Sequence, residues 1–205
     1  CVSEIVCDLL RIVPVGAAGW PALMADLARI RGYRLEHTAM AEASARANGG
    51  ELAPDGGNLA AVLATRCQGD PEAFAALTAE ALRLLPEFVA LELVARDGGT
   101  VGIELRLGNG DRVAADNLSQ GTLNALAVVT LAFNPEPPSL LCIEEIDRGI
   151  HPRMLREIRD ALYRLSYPQS FGLSRTPVQV VATTHSPYML DLFREHPEEI
   201  VIAQK

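Results

Sequence analysis

The second half of the chain alternates helical and strand-like hydrophobic patterns. Apolar positions at helical spacing predict helices over residues 122–133, 152–165 and 187–193, and short apolar runs predict strands over residues 139–143, 178–183 and 200–203. Apolar strands that are separated by helices form parallel sheets, buried on both faces. We therefore predict an α/β fold with a mostly parallel sheet flanked by helices.

A small antiparallel β meander is predicted just before this part. Residues 88–96 and 101–107 alternate in polarity around the turn Asp97-Gly98-Gly99, and a second turn at 108–111 leads into residues 112–114. Upstream, Asp70 followed by Pro71 is a typical helix start, and Asn58 can cap a shorter helix over residues 59–66.

The first 66 residues carry weaker signals. The apolar run over residues 5–15 fits a strand or a buried helix, and periodicity leaves both open. Residues 21–47 favour helix, with an interruption at Gly32 and Tyr33. We expect residues 1–66 to be an incomplete N-terminal segment of mixed helix and strand, and residues 67–205 to form the lobe that carries the chemistry.

Composition and charge exclude some classes of function. The chain has 205 residues, of which 49% are hydrophobic and 21% charged, and its net charge of -8 gives no general attraction to nucleic acid or anionic membranes. No apolar run approaches the roughly 20 residues of a membrane helix, and no secretion signal begins the chain, so we expect a cytoplasmic protein. Four cysteines without CxxC spacing are expected to be reduced thiols.

Two adjacent carboxylates follow the apolar run that ends at Ile143. Glu144 and Glu145 would stand at the carboxyl edge of the predicted sheet, where such sheets bind their ligands. Adjacent carboxylates repel each other, so a divalent metal or a proton is expected between them. In a nucleotide site one acid can hold Mg2+ while the next orients the attacking water. A solvated strand end is the plainer interpretation of the same residues.

Two further motifs point to the same edge. LSQGT, residues 118–122, begins a predicted helix, where Ser119 can cap the helix, Gly121 permits close backbone approach, and free N–H groups can bind an anion. TTHSP, residues 183–187, places His185 after a strand, from where it can donate a hydrogen bond to a phosphate. An ordinary helix cap and a structural histidine are the plainer alternatives. The fixed order of all three motifs favours a phosphate site.

This order of motifs resembles that of ABC-type ATPase heads. LSQGT is similar to their signature motif, LLCIEEID with IHP to Walker B and the D-loop, and TTHSP to the switch-histidine motif. The likeness covers about residues 52–203 and points to SMC/RecF-like bacterial AAA ATPases, including OLD-like ATPases of phage defence and ATPases of DNA repair. The resemblance implies the C-terminal lobe of a P-loop NTPase head.

The resemblance also implies roles for the motif residues. Glu144 would coordinate Mg2+, Glu145 would be the catalytic glutamate, and His185 would be the switch histidine at the γ-phosphate. The cofactors implied are ATP and Mg2+. The partner implied is a second head in a homodimer, or the N-terminal lobe of the same protein, with DNA as a candidate partner of the full protein and no membrane.

The signature and the D-loop would complete the site from across the dimer seam. Asp147 would lie at the seam itself. The signature residues implied to contact ATP held by the other head are Ser119, Gln120, Gly121 and Thr122. Gln120, Thr122 and Glu144 each depart from the commonest ABC residue, and the bacterial branch tolerates all three departures.

The phosphate loop GxxxxGK[ST] is missing, because the sequence has no lysine before Lys205. We therefore expect the chain, which begins with Cys1, to be a piece of a larger ATPase whose first lobe supplies that loop. The first hypothesis is a head that hydrolyses ATP in the complete protein, with this chain alone inactive. The alternative is a nucleotide-insensitive module for dimerisation or effector docking.

Overall fold

The structure, a computed structural model, describes residues 20–203. The apolar run over residues 5–15 lies outside the described residues. The helices are α1 (Trp20–Ala28), α2 (His37–Ala41), α3 (Leu59–Gly69), α4 (Pro71–Leu84), α5 (Gln120–Ala132), α6 (Leu155–Ser166) and α7 (Pro187–Asp191). The strands are β1 (Ile30–Tyr33), β2 (Ser44–Ala45), β3 (Phe88–Ala95), β4 (Thr100–Leu107), β5 (Arg112–Ala114), β6 (Leu140–Ile143) and β7 (Gln179–Ala182).

A three-stranded parallel sheet carries the motif loops. Its order is β1-β6-β7, and the last residues of the three strands lie in register: Tyr33 opposite Ile143, and Ile143 opposite Ala182. The parallel direction confirms the predicted fold class. Because all three strands end together, the loops that follow them leave the sheet at one edge.

The predicted meander is confirmed as a second, antiparallel sheet. β4 pairs with β3 on one side; its other side pairs with β2 at Thr100 and Val101 and with β5 over residues 104–106. Gly98, Gly99 and Gly110 have positive φ in the two turns, which explains why glycine stands there. The turn chemistry of the sequence therefore predicted this sheet well.

The helix start at Asp70 is also confirmed, whereas the expectation that the Asn58 side chain caps α3 is wrong. The Asp70 side chain accepts a hydrogen bond from the Ala73 N–H at 2.9 Å, with Pro71 at the first position of α4. Asn58 precedes α3 but does not cap it with its side chain. Its amide instead ties the preceding loop together, since it accepts from Ala53 N and donates to the carbonyls of Asn48 and Glu51.

Helix α5 is the centre of the described core. Every residue from 121 to 132 is buried, and the helix packs against α2, α4 and α6. Its C-terminal carbonyls are held by arginines: Arg66 donates to Thr130 O at 2.5 Å, and Arg175 donates to Ala132 O at 3.2 Å. Cations at this end of a helix complement its dipole.

Three further expectations of the sequence were wrong. Residues 30–33 form a strand, where the sequence predicted only an interruption of helix at Gly32 and Tyr33. The strand β7 is largely exposed rather than buried on both faces, with Val181 49% exposed. Residues 200–203 form no strand in the part of the chain described, and Val201 and Ile202 are 91% and 79% exposed. In the last two cases the prediction rested on apolar character alone. The described residues do not cover the exposed side of β7, and they offer residues 200–203 no strand to pair with.

None of the helices within residues 20–203 is long and apolar enough to cross a membrane.

Candidate functional site

The two acids leave the central strand of the parallel sheet. The Glu144 N–H donates to Tyr33 O at 2.9 Å, which ties it to β1 on one side. The Glu145 N–H donates to Thr183 Oγ1 at 2.9 Å, and the Ile146 N–H donates to Thr183 O at 3.1 Å, which ties the loop to β7 on the other side. The acid loop, residues 144–149, is therefore held from both neighbouring strands.

Glu145 adopts an unusual backbone conformation. Its φ is +47°, and it is the only non-glycine residue with positive φ among residues 20–203. A left-handed conformation at a residue with a Cβ costs on the order of 1–2 kcal/mol and persists where the surrounding structure enforces it. Such strain is frequent at functional sites, and here it falls on the residue expected to orient water.

The acids face arginine side chains that sequence reasoning did not assign to the site. The Glu144 carboxylate lies 4.0 Å from Arg34 Nε, and the Glu145 carboxylate lies 3.7 Å from Arg148 Nε. Glu36 joins the two arginines, at 3.3 Å from Arg34 and 3.5 Å from Arg148. The side chains of Glu144 and Glu145 are 64% and 48% exposed, so these ion pairs are worth little energetically.

His185 stands at the same edge as the acids. It follows β7 by three residues, as Glu145 follows β6 by two, and it is exposed. Thr184 Oγ1 donates to Asp147 Oδ1 at 2.5 Å and accepts from the Ser186 N–H at 3.0 Å, so the residues on both sides of His185 are fixed. The structure thus brings Glu144, Glu145 and His185 to one edge of one sheet.

The signature helix begins as predicted. Ser119 is the N-cap of α5, because its Oγ accepts from the Thr122 N–H at 3.1 Å and shares a hydrogen bond of 2.7 Å with Thr122 Oγ1. Ser119 is exposed and Gln120 half-buried, whereas Gly121 and Thr122 are buried. Solvent, and any ligand, therefore reach the tip of the helix through its first two residues.

Gly121 explains how this tip is joined to the acid loop. A Cβ added to Gly121 would lie 2.1 Å from the carbonyl oxygen of Gly149, so only glycine lets the two backbones meet. One turn further along α5, Asn124 donates to Arg148 O at 2.6 Å. The signature tip contacts the end of the acid loop, but Ser119 makes no hydrogen bond to Glu144, Glu145 or His185 among the described residues.

The site lies on an open surface. A cavity of about 1350 Å3 opens at the amino ends of the strands, beside Ile30, Leu140 and Gln179. It is lined by neither acid nor by His185. Glu144, Glu145 and His185 therefore lie at the edge of the sheet opposite this cavity.

The structure defines a class of α/β domains in which a parallel sheet gathers its polar loops at one edge. The family described as "AAA domain, putative AbiEii toxin, Type IV TA system" matches residues 52–191. The chain belongs to this family of AAA domains. None of the curated proteins compared with it matches.

Several solved structures of SMC heads are similar to this chain. An SMC head bound to the C-winged helix domain of ScpA has 14% sequence identity and a TM-score of 0.50, over 76% of this chain and 47% of its own. An SMC ATPase studied for ATP-driven dimerization and DNA stimulated activation has 16% identity and a TM-score of 0.44, over 62% and 76%. A Pyrococcus furiosus Smc head with an extended coiled coil, bound to the C-terminal domain of ScpA, has 14% identity and a TM-score of 0.43, over 63% and 32%.

These comparisons confirm the predicted resemblance and the fold class. At 14% identity the first of these structures bears on the fold alone. The family is one of ATPase-like nucleotide-binding domains, which typically use ATP and Mg2+. The roles of individual residues and the boundary between residues 66 and 67 remain predictions.

Proposed function

We propose that this chain is the part of an ATP-hydrolysing head that supplies the acids, the signature helix and the switch histidine. The observation that carries the proposal is the convergence of Glu144, Glu145 and His185 at one edge of a parallel sheet, in a chain of an AAA family. The N-terminal lobe of the complete protein would supply the phosphate loop, for which this sequence has no lysine.

The acids fit a site for Mg2+ and water. Glu144 presents an exposed carboxylate whose nearest cation is Arg34 at 4.0 Å, so its oxygens are available to a hard cation. When bound, Mg2+ would neutralise charge that develops on the transferring phosphoryl group. Glu145 would accept a hydrogen bond from the attacking water and orient it, and His185 would donate a hydrogen bond to a phosphate oxygen.

We propose that the signature acts on ATP held by a second head. Ser119 and Gln120 form the accessible tip of α5, where N–H groups and the helix dipole favour an anion. Gly121 and Thr122 would support this tip, Gly121 through its contact with Gly149 and Thr122 through the Ser119 hydroxyl. Asp147, within the acid loop, would lie at the dimer seam.

The proposal is tested by trapping the dimer. In the complete protein, Glu145→Gln keeps the shape of the side chain but removes the carboxylate, so we expect ATP to bind and to remain unhydrolysed. Light scattering should then detect an ATP-dependent dimer that persists in the variant and dissociates in the wild type. A variant that stays monomeric with Mg-ATP would refute the proposed closure of two heads.

DNA is the partner that we propose for the complete protein, in DNA repair or in phage defence. The SMC ATPase described above is one whose activation is stimulated by DNA. The net charge of -8 gives no general attraction to DNA, so binding would need a local surface or another part of the protein. Measuring ATP turnover with and without double-stranded DNA tests this, and an unchanged rate would contradict it.

A second candidate is a nucleotide-insensitive module for dimerisation or effector docking. The missing phosphate-loop lysine favours it for this chain alone. Calorimetry with Mg-ATP separates the candidates: the first expects no tight binding to the 205-residue chain but binding to the complete protein. The second expects none to either.

A further inference from the structure

Two consecutive threonines join the acid loop to the loop that carries His185. Thr183 Oγ1 accepts a hydrogen bond from the Glu145 N–H at 2.9 Å. Thr184 Oγ1 donates one to Asp147 Oδ1 at 2.5 Å. Both bonds run from a side chain of one loop to the other loop. We call this pair of residues the threonine clasp.

Thr183 holds Glu145 in its left-handed conformation. Backbone hydrogen bonds to Thr183 lie on both sides of Glu145 in the chain. The Thr183 N–H donates to Ile143 O at 2.9 Å, and the Ile146 N–H donates to Thr183 O at 3.1 Å. With φ at +47°, the Glu145 N–H meets no backbone acceptor between them. The Thr183 hydroxyl supplies the acceptor, which offsets the cost of the strained backbone.

Thr184 fixes the turn around His185. Its hydroxyl also accepts from the Ser186 N–H at 3.0 Å, so one oxygen links Asp147 to the residue that follows the histidine. The His185 ring itself has no hydrogen bond among residues 20–203. The position of His185 is therefore set through its backbone, which Thr184 ties to the acid loop.

We infer that Thr183 and Thr184 are positioning residues, which place the Glu145 carboxylate and the His185 imidazole correctly relative to each other. This inference rests on the proposed ATP hydrolysis. A water molecule must be held in line with the bond that breaks, and small displacements of the groups that hold it cost rate. The proposed role of the clasp is exerted through Glu145 and His185 rather than on the nucleotide.

The clasp predicts a specific kinetic signature for Thr183→Val, which keeps the branched shape and removes the acceptor. In the complete protein we expect kcat for ATP to fall by about tenfold to a hundredfold, as misplaced catalytic groups do. KM should stay close to that of the wild type, because the proposed role of Thr183 is to position Glu145 rather than to bind ATP. Thr183→Ser restores the hydroxyl and should restore most of kcat.

The chain offers a matched control. Thr78 Oγ1 is buried and has no hydrogen-bond partner, so Thr78→Val makes the same chemical change where no bond is lost. We expect its kcat and KM to be those of the wild type. Thr184→Val, compared with Thr184→Ser, extends the test to the Asp147 bond, with the same split between kcat and KM.

A second measurement reports the geometry without activity. The Glu145 N–H should exchange with deuterium faster in Thr183→Val than in the wild type or in Thr78→Val, because its acceptor is gone. Mass spectrometry of a peptide that spans residues 143–148 follows this exchange. Unchanged exchange in Thr183→Val would overturn the clasp.

The kinetic outcomes distinguish the clasp from the proposed function. The clasp is overturned if Thr183→Val keeps the wild-type kcat while Glu145→Gln is inactive, or if Thr183→Ser is as slow as Thr183→Val. Wild-type turnover by Glu145→Gln would instead overturn the proposed function, and the catalytic purpose of the clasp with it.

Discussion

Helix α5 and the acid loop are in contact but differ in burial and in backbone conformation. α5 is buried from residue 121 to residue 132 and carries no strained backbone. The acid loop is exposed at Glu144 and Glu145 and contains a left-handed glutamate. Burial is therefore concentrated in the helix, whereas the loop holds the exposed acids to which we assign the chemistry, and the Gly121–Gly149 contact joins the two.

The largest loss of stability is expected in α5. Leu126 is fully buried at the centre of the helix, so Leu126→Ala leaves a cavity and should lower the free energy of unfolding by about 2–5 kcal/mol. Urea unfolding measures the change. Leu23→Ala is the matched control, because Leu23 is 46% exposed and its truncation should cost less than about 1 kcal/mol. Equal losses would contradict the central place of α5 in the core.

A smaller loss is expected at the contact between the two regions. Gly121→Ala would put a Cβ 2.1 Å from Gly149 O, and the backbones must separate, at a cost of about 1–3 kcal/mol. Gly69 ends α3 with nothing within 4 Å of its added Cβ, so Gly69→Ala should be neutral or stabilise by up to about 1 kcal/mol. If Gly121→Ala is as stable as Gly69→Ala, the close contact between Gly121 and Gly149 is contradicted.

In the acid loop we expect a substitution that raises the free energy of unfolding instead of lowering it. Glu145→Gly removes the penalty of a left-handed residue and should raise the free energy of unfolding by about 0.5–1 kcal/mol, while ATP turnover is lost. Glu144 has no positive φ, so Glu144→Gly should gain no such stability. Thermal unfolding of both variants measures the difference, and a destabilised Glu145→Gly would show that the loop is not strained.

Sequence patterns predicted the elements whose cause is local. The meander followed from its glycine turns, α4 from Asp70 and Pro71, and α5 from the cap at Ser119. The strand β1 was missed because it is only four residues long and contains Arg31 and Gly32, so its strand character comes from pairing with β6. Such pairing joins residues that lie far apart in the chain, and local periodicity carries no trace of it.

The difference between local signals and long-range pairing also separates the predicted residues of the site from the missed ones. The acids and His185 could be placed at one edge because each directly follows a predicted strand. Arg34 could not be placed there, since the strand that it follows was not predicted. The ion pair between Glu36 and Arg34 is likewise visible only in the folded structure. Thr183 and Thr184 belonged to a recognised motif, but their bonds to Glu145 and Asp147 depend on the register of β6 and β7.

The central claim is that Glu145 activates water for ATP hydrolysis at this edge of the sheet. The most direct test is steady-state ATP turnover by the complete protein and by its Glu145→Gln variant, with ATP binding measured in parallel. We predict that the variant binds ATP and loses turnover by at least about a hundredfold, as the removal of a general base does. Wild-type turnover in the variant would contradict the claim.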